Sequence, residues 1–101
     1  MIRSIVKRDG RVVLYNEAKI ADAILKAMEA ARTGSAADAA VIANRVEESL
    51  TALCGEQPPE IEQIQDAVEQ QLMQAGFDEA AKQYILYRAN RTRIREANTA
   101  L

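Results

Sequence analysis

The feature that most constrains this sequence is a turn signal between two short apolar runs near its N-terminus. Asp9-Gly10 is typical of a two-residue hairpin turn, because a type I′ turn requires positive φ at both central residues. Ile5-Val6 precedes the turn and Val12-Val13-Leu14 follows it. Asn16 then offers a helix N-cap, with Glu17 in the first helical turn. The pattern predicts a β-hairpin that leads directly into a helix.

A two-residue turn also fixes which residues face each other across the hairpin. It would pair Lys7 with Val12 and Val6 with Val13. Lys7 and its neighbour Arg8 would point to opposite faces of the strand, so only one of them would reach a given ligand directly. Because an isolated hairpin is marginally stable in water, we expect it to lie as a lid over the helices.

Four segments after the hairpin carry apolar residues at helical spacing. They span about 17–31, 36–53, 60–75 and 78–88. Ser35 can cap the second helix, Gly55 can end it, and Pro58-Pro59 form a stiff connection to the third. We therefore predict a mainly α (α+β) fold, a four-helix bundle covered by the N-terminal β-hairpin. The expected core positions are Ile20, Ile24, Ala27, Met28 and Ala31; Ala39, Ile42, Ala43, Val46, Leu50 and Leu53; Ile61, Ile64, Val68, Leu72 and Ala75; and Phe77, Ala81, Tyr84 and Ile85.

The composition excludes several classes of protein. With one cysteine and no histidine in 101 residues, the chain has no internal disulfide, no cysteine- or histidine-based zinc site and no histidine acid–base chemistry. Cys54 is expected to pack at a helix end. No apolar run approaches the roughly 20 residues of a membrane span, and Lys7 and Arg8 interrupt the N-terminus where a signal peptide would need an apolar core. We expect a soluble, cytoplasmic protein of one small domain.

The charge is unevenly distributed along the chain. The formal net charge is −2, but residues 1–19 carry +3, residues 20–81 carry −9 and residues 82–101 carry +4. If the two basic ends meet in the fold, they form one basic site on an acidic body. An acidic body argues against general binding of nucleic acid, which calls for a broad basic face.

Several motifs occur in an order that identifies a family. Residues 6–10 read Val-Lys-Arg-Asp-Gly, and Asn16 and Lys19-Ile20 follow; residues 64–69 read Ile-Gln-Asp-Ala-Val-Glu, and residues 81–88 read Ala-Lys-Gln-Tyr-Ile-Leu-Tyr-Arg. At these separations the chain resembles the ATP-cone, the nucleotide-sensing regulatory domain of ribonucleotide reductases, over nearly its whole length. The finer pattern is most similar to the N-terminus of the anaerobic (class III) ribonucleoside-triphosphate reductases.

The resemblance implies an allosteric domain that binds ATP and dATP with Mg²⁺ and controls the overall activity of such a reductase, an oxidoreductase of deoxyribonucleotide synthesis for DNA replication. Residues 1–92 would form the ATP-cone, and residues 93–101 a linker toward a catalytic domain. The segment itself lacks the radical glycine and paired cysteines of a reductase active site, so we expect it to be non-catalytic. The implied partners are a nucleoside triphosphate, the catalytic domain and a nucleotide-dependent homo-oligomer.

A nucleoside triphosphate requires clustered cations for its phosphates and an apolar slot for its base. No Gly-x-x-x-x-Gly-Lys pattern is present, so the site is not a P-loop. The resemblance makes Lys82 and Arg91 phosphate contacts and gives Ile20 a place in the base slot. The candidate nucleotide-binding residues are Lys7, Arg8, Asn16, Lys19, Ile20, Gln65, Lys82, Arg88 and Arg91.

Base recognition is where this chain departs from many of the proteins it resembles. Several of those carry an acid at the position of Val13 that accepts a hydrogen bond from the adenine amino group. Val13 cannot accept one, so adenine would be read by backbone groups or by Asn16, which also caps the first helix. Gln65 would face the ribose or a phosphate.

Each candidate also has a simpler explanation. Lys7 and Arg8 could form a solvated strand edge that prevents aggregation, while Lys19 and Gln65 could be ordinary exposed helical residues. The alternative function is a helical interaction module whose basic C-terminal helix binds an acidic partner or nucleic acid. A triphosphate site would prefer ATP over AMP and ignore DNA. A reductase-gene repressor, which places a four-cysteine zinc ribbon before its ATP-cone, is disfavoured because the chain has one cysteine.

Overall fold

A computed structural model describes the main chain of residues 2–99 and the side chains of residues 2–90. Within this part, two short strands precede four helices, which confirms the mainly α arrangement. The elements are β1 (Ser4–Val6), β2 (Val12–Leu14), α1 (Glu17–Ala30), α2 (Ala36–Cys54), α3 (Ile61–Gln74) and α4 (Asp78–Thr99). The predicted boundary between residues 92 and 93 falls inside α4, and the assignment of residues 93–101 as a linker remains a prediction.

The hairpin register differs by one residue from the predicted one. Ile5 pairs with Val13 and Val6 with Val12, and the Lys7 N–H donates to the Arg11 carbonyl at 2.8 Å. The loop therefore has three residues, 8–10, rather than two. Its turn is closed by the Gly10 N–H, which donates to the Lys7 carbonyl at 2.9 Å.

Backbone conformation explains the longer loop. Gly10 has a φ of +89°, whereas Asp9 keeps a negative φ, which is less strained for a residue with a Cβ. The Asp9 carboxylate accepts the Arg11 N–H at 3.0 Å and the Arg11 Nε–H at 2.7 Å, and these bonds hold the turn. A type I turn followed by a glycine in the left-handed region is the common three-residue hairpin.

Local signals set the helix starts as predicted. The Asn16 Oδ1 accepts the Lys19 N–H at 3.3 Å and caps α1, and the Ser35 Oγ accepts the Asp38 N–H at 3.3 Å and caps α2. At α3, the Gln63 Oε1 accepts the Glu60 N–H at 2.8 Å. Each of these bonds satisfies a donor at a helix start that would otherwise have no partner.

The four helices pack in a ring, with α1 against α2 and α4, and α3 against α2 and α4. Their apolar stripes meet in a core whose largest fully buried side chains include Ile24, Met28, Ile42, Leu50 and Leu72. Two predicted core residues were wrong. Leu53, in the last turn of α2, is 70% exposed, and Ile85, one residue past buried Tyr84 and hence about 100° around α4, is 43% exposed.

The hairpin is attached to the bundle through the connection between α2 and α3. The Val6 N–H donates to the Pro59 carbonyl at 2.9 Å, and Val6 forms an isolated parallel bridge with Glu60. Ile2 is buried, and Ile5 packs against the core. Among the described residues, no helix is both long enough and apolar enough to cross a membrane.

Candidate functional site

An open cleft of about 750 Å³ lies where the hairpin meets the helices. The hairpin contributes Ile5, Lys7, Val13, Leu14 and Tyr15; the N-cap and first turns of α1 contribute Asn16, Glu17, Lys19, Ile20 and Ala23; α3 contributes Ile61, Ile64 and Gln65; and α4 contributes Tyr84 and Tyr87. Most of the lining is apolar, with a few polar groups on it. This is the composition of a site for a small molecule that carries both a ring and a charged end.

Lys7 and Lys19 are the two cations of the cleft. The observed register puts Lys7 on the same hairpin face as Ile5 and Val13, which points that lysine toward the cleft lining. Lys19 lies in the first turn of α1, where the helix dipole adds partial positive charge. Both side chains are exposed, and neither forms an ion pair with a described residue. Either lysine can therefore turn toward a phosphate at little cost in free energy.

Arg8 lies outside the cleft, beside a separate depression lined by Glu60 and Glu62. Its guanidinium Nη2 is 3.9 Å from the Glu62 Oε1, and its side chain is 30% exposed. Lys7 borders this depression as well as the cleft, whereas Arg8 borders only the depression. The cation that lines the cleft is Lys7.

Lys82 and Arg88, the basic residues of α4 whose side chains the structure describes, do not line the cleft. The Arg88 Nη1 donates to the Asp66 Oδ1 at 2.8 Å and to the Glu69 Oε1 at 2.9 Å, which joins α4 to α3. Partial burial opposes the charge on Arg88, but the hydrogen bonds to the two carboxylates outweigh that effect and raise the pKa of Arg88. Lys82 points to solvent and bonds Glu79 at 3.4 Å. The side chain of Arg91, also predicted to bind nucleotide, lies outside the described residues.

Two buried side-chain atoms in the described part of the chain lack a hydrogen-bond partner, and both belong to residues that line the cleft. They are the Tyr15 Oη and the Gln65 Oε1. Burial, with Glu47 and Glu17 as further causes, raises the pKa of Tyr15, so its hydroxyl stays neutral at physiological pH. Buried polar atoms are nearly always paired, so these two atoms are exceptions within the described part of the chain.

Three aromatic residues of the cleft were not among the candidate binding residues. Tyr15 follows Val13 by two residues and so lies on the same face of the hairpin. The correct register, which pairs Ile5 with Val13, would have shown that Tyr15 also shares this face with Ile5 and Lys7. Tyr84 is buried and Tyr87 is 46% exposed, with their ring centroids 6.5 Å apart. Burial raises the pKa of Tyr84 to about 12. These rings provide apolar surface against which a planar base can lie.

The residues present fit a nucleoside triphosphate. The volume suits a ligand of this size, two lysines can meet the phosphates, and apolar and aromatic side chains can meet the base. Residues 2–90 contain no group of three or more potential metal-ligating side chains.

A hairpin on four helices, with a lysine-bearing apolar cleft between them, defines a small nucleotide-binding module. Residues 3–93 match the family model described as the ATP cone domain, and the chain belongs to this family. ATP-cones are allosteric regulatory domains that bind ATP and dATP as effectors. The family resemblance seen in the motifs is thereby confirmed.

The similar proteins are ribonucleotide reductases. The chain is 43% identical to the vitamin B12-dependent ribonucleoside-diphosphate reductase of Thermoplasma acidophilum over 95% of its own length and 13% of that protein. It is 40% identical to the ribonucleoside-diphosphate reductase subunit alpha of Chlamydia pneumoniae, over 93% and 10% of the two chains. Identity to the anaerobic ribonucleoside-triphosphate reductase of Escherichia coli is 38%, over 95% and 13%. The chain thus spans about an eighth or less of these relatives.

Proposed function

We propose that this domain binds MgATP and MgdATP in the cleft between its hairpin and helices, and that it thereby controls the overall activity of a ribonucleotide reductase. The observation that carries the proposal is the joint presence of Lys7, Lys19 and Ile20 at one cleft of an ATP-cone. Lys7 and Lys19 would hold phosphates, and Ile20 would contact the base. Asn16 and Gln65 would supply the polar contacts.

Arg8, Lys82, Arg88 and Arg91 remain predicted phosphate ligands. Arg8 and Arg88 already contact carboxylates, so a phosphate would have to compete with Glu62 in one case and with Asp66 and Glu69 in the other. The same contacts weaken the alternative of an interaction module with a basic C-terminal helix. In the described part of α4, the charges of Lys82 and Arg88 are largely offset by neighbouring acids.

The parent enzyme is proposed from the relatives. All three named above are reductases, and they fall in different classes with similar identities, so the anaerobic class remains a proposal. The catalytic domain would follow the ATP-cone, and the protein would work in the cytoplasm. Because ATP and dATP differ only by the 2′-hydroxyl, opposite effects require two states with different affinities for the two nucleotides. A nucleotide-dependent homo-oligomer would supply such states.

Thermal unfolding with added nucleotide tests the binding proposal. At a ligand concentration about 100 times Kd, stabilisation should be roughly 2.7 kcal/mol, which corresponds to a rise in Tm of roughly 10–20 °C for a domain of this size. AMP should give a much smaller rise, and a DNA duplex should neither shift Tm nor compete. A Tm unmoved by millimolar MgATP and MgdATP would refute the proposal, and competition by DNA would favour the interaction module.

The site assignment has a matched control on α1. Lys7→Ala with Lys19→Ala should remove most of the shift, whereas Lys26→Ala should leave it, because Lys26 bonds Asp22 at 3.3 Å and lies outside the cleft. The switching role is tested by light scattering on the full-length reductase with ATP and then dATP. Equal masses and equal reductase rates in the two nucleotides would leave binding without regulation.

A further inference from the structure

The sheet of the described chain has two strands, so β2 has an outer edge with no neighbouring strand. Near the two ends of the hairpin, the Tyr15 N–H donates to the Arg3 carbonyl at 2.9 Å and the Lys7 N–H donates to the Arg11 carbonyl at 2.8 Å. Residues of an antiparallel strand alternate between bonding across the pair and directing their backbone groups away from it. Arg11 and Tyr15 therefore belong to the set that bonds across the hairpin.

Val12 and Leu14 belong to the other set, since each lies one residue away from a member of the first. Their N–H and C=O groups, two donors and two acceptors, point out of the sheet at the edge of β2. Val6, which lies opposite Val12, supports this alternation. Its N–H turns away from β2 and donates to the Pro59 carbonyl at 2.9 Å. The outer edge of β2 thus carries backbone groups that can bond another extended segment.

The side chains at this edge are apolar and exposed. Val12 is 62% exposed and Leu14 is 83% exposed, and both project from the outer face of the hairpin, because Ile5 packs against the core from the opposite face. Exposed strand edges are commonly protected by a charged residue or a proline within the strand. β2 reads Val-Val-Leu and carries neither, so its only protection is its short length. Such an edge suits β-augmentation, in which an extended peptide adds a strand to a sheet.

The charge of the hairpin indicates which kind of segment fits this edge. Residues 3–14 contain four basic residues and only Asp9 as an acid, a net charge of +3. Arg3 and Lys7 are exposed and form no ion pair with a described residue. A second copy of the chain would bring another +3 to the same edge, together with its own four helices. An acidic segment is attracted instead, and a single strand needs only about 4.8 Å of space beside β2.

We propose that the outer edge of β2 binds an extended acidic segment of a partner protein, which adds a third strand to the hairpin. The backbone of the segment bonds the N–H and C=O groups of Val12 and Leu14. Because strand side chains alternate between faces, apolar residues at every second position lie beside Val12 and Leu14, and the acidic residues between them lie on the face that carries Lys7. The proposal concerns recognition of a protein and does not depend on nucleotide binding.

The test titrates a synthetic peptide into the ¹⁵N-labelled chain without nucleotide. The peptide has about seven residues of alternating glutamate and valine and is blocked at both ends. Binding should be saturable below about 1 mM. The amide resonances of Val12 and Leu14 should shift, and their hydrogen exchange should slow by at least about tenfold at saturation.

Two control peptides separate the backbone from the charge. Replacing each glutamate by lysine keeps the alternation and reverses the charge. Methylating all the backbone nitrogens keeps every side chain and removes every backbone donor. Each control should bind at least about tenfold more weakly than the acidic peptide.

Leu14→Pro tests the same edge from the side of the protein. It removes one outward N–H and leaves the bonds across the hairpin, because Leu14 does not bond across, and it should weaken the acidic peptide at least about tenfold. Leu14→Thr loses the same leucine side chain but keeps the N–H, so it should bind at least about threefold more tightly than Leu14→Pro. Leu53→Thr removes a leucine that is 70% exposed on α2, outside the hairpin, and should leave binding unchanged.

The proposal is overturned if the acidic peptide does not bind, if either control peptide binds as tightly, or if the Val12 and Leu14 amides do not respond. Sedimentation of the chain alone tests the other occupant. A dimer that Leu14→Pro abolishes would assign the edge to a second copy and would also overturn the proposal. If Leu14→Pro disrupts the hairpin, the comparison with the methylated peptide still decides the result.

Discussion

Substituting each of two adjacent basic residues tests whether the hairpin register determines the site. Lys7→Ala and Arg8→Ala each remove one positive charge at neighbouring positions, but the structure directs only Lys7 to the cleft. A charge-assisted hydrogen bond contributes about 1.5–3 kcal/mol, so Lys7→Ala should weaken MgATP binding by about 10- to 150-fold.

Arg8→Ala should have a much smaller effect. The Arg8 guanidinium lies 3.9 Å from Glu62, and Arg8 does not line the cleft, so we expect it to act on a phosphate there only through solvent. Two charges about 10 Å apart in water interact by about 0.4 kcal/mol, and 0.15 M salt screens part of that. We therefore expect a loss of about twofold or less.

Isothermal titration of MgATP in 0.15 M salt measures both constants, and circular dichroism checks that each variant is folded. Because the two variants have the same net charge, the difference between them isolates geometry from diffuse electrostatics. Equal losses of MgATP affinity would mean that the two basic residues act only through diffuse electrostatics. A larger loss in Arg8→Ala would mean that the hairpin binds nucleotide in the other register, and either result would refute the assignment of Lys7.

Three further predictions concern stability. Gly34→Ala should lower the unfolding free energy by about 2–4 kcal/mol in urea, because Gly34 has a φ of +73° and a Cβ there would lie 2.5 Å from the buried Met28 Sδ. Gly76→Ala, at a φ of +88° with open space around it, should show the strain alone, and equal losses would contradict the steric argument. Because burial raises the pKa of Tyr84 to about 12, the unfolded chain loses its proton first, so stability should fall between pH 10 and about pH 12 by up to about 3 kcal/mol. An equally steep fall in Tyr84→Phe would argue against this cause. Arg88→Ala should lower the unfolding free energy by about 1–3 kcal/mol, because it leaves two acids on α3 without this partner. It should change ATP affinity less than about threefold. A large affinity loss at unchanged stability would make Arg88 a ligand instead.

The elements of the fold could be read from the sequence because their signals act within a few residues. The capping side chains of Asn16 and Ser35 bond backbone groups three residues away, so the starts of α1 and α2 follow from local chemistry. Apolar spacing located the four helices, and the order of motifs along the chain identified the family. None of these inferences requires knowledge of which elements touch.

The arrangement of the site depended on contacts between distant residues. Asp9-Gly10 is compatible with a two- or a three-residue loop, and the observed loop groups Ile5 and Tyr15 on the face that packs toward the bundle, a gain that exists only once the helices have assembled. The basic C-terminal segment was expected to join the basic hairpin at one site. Instead Arg88 bonds two acids that lie 19 and 22 residues earlier in the chain.

What the sequence by itself determined was therefore the inventory of helices, caps and cations, and the family to which they belong. The tertiary structure decided which cations reach the cleft and which polar atoms are left unpaired there. The physical reason is the distance along the sequence over which each kind of interaction acts. Helix caps and apolar periodicity are properties of one segment, whereas the choice of partner for a charge or a buried oxygen depends on which side chains other segments bring within about 3 Å. Lys7 and Arg8 show that difference, because they are adjacent in the chain and yet only Lys7 borders the cleft.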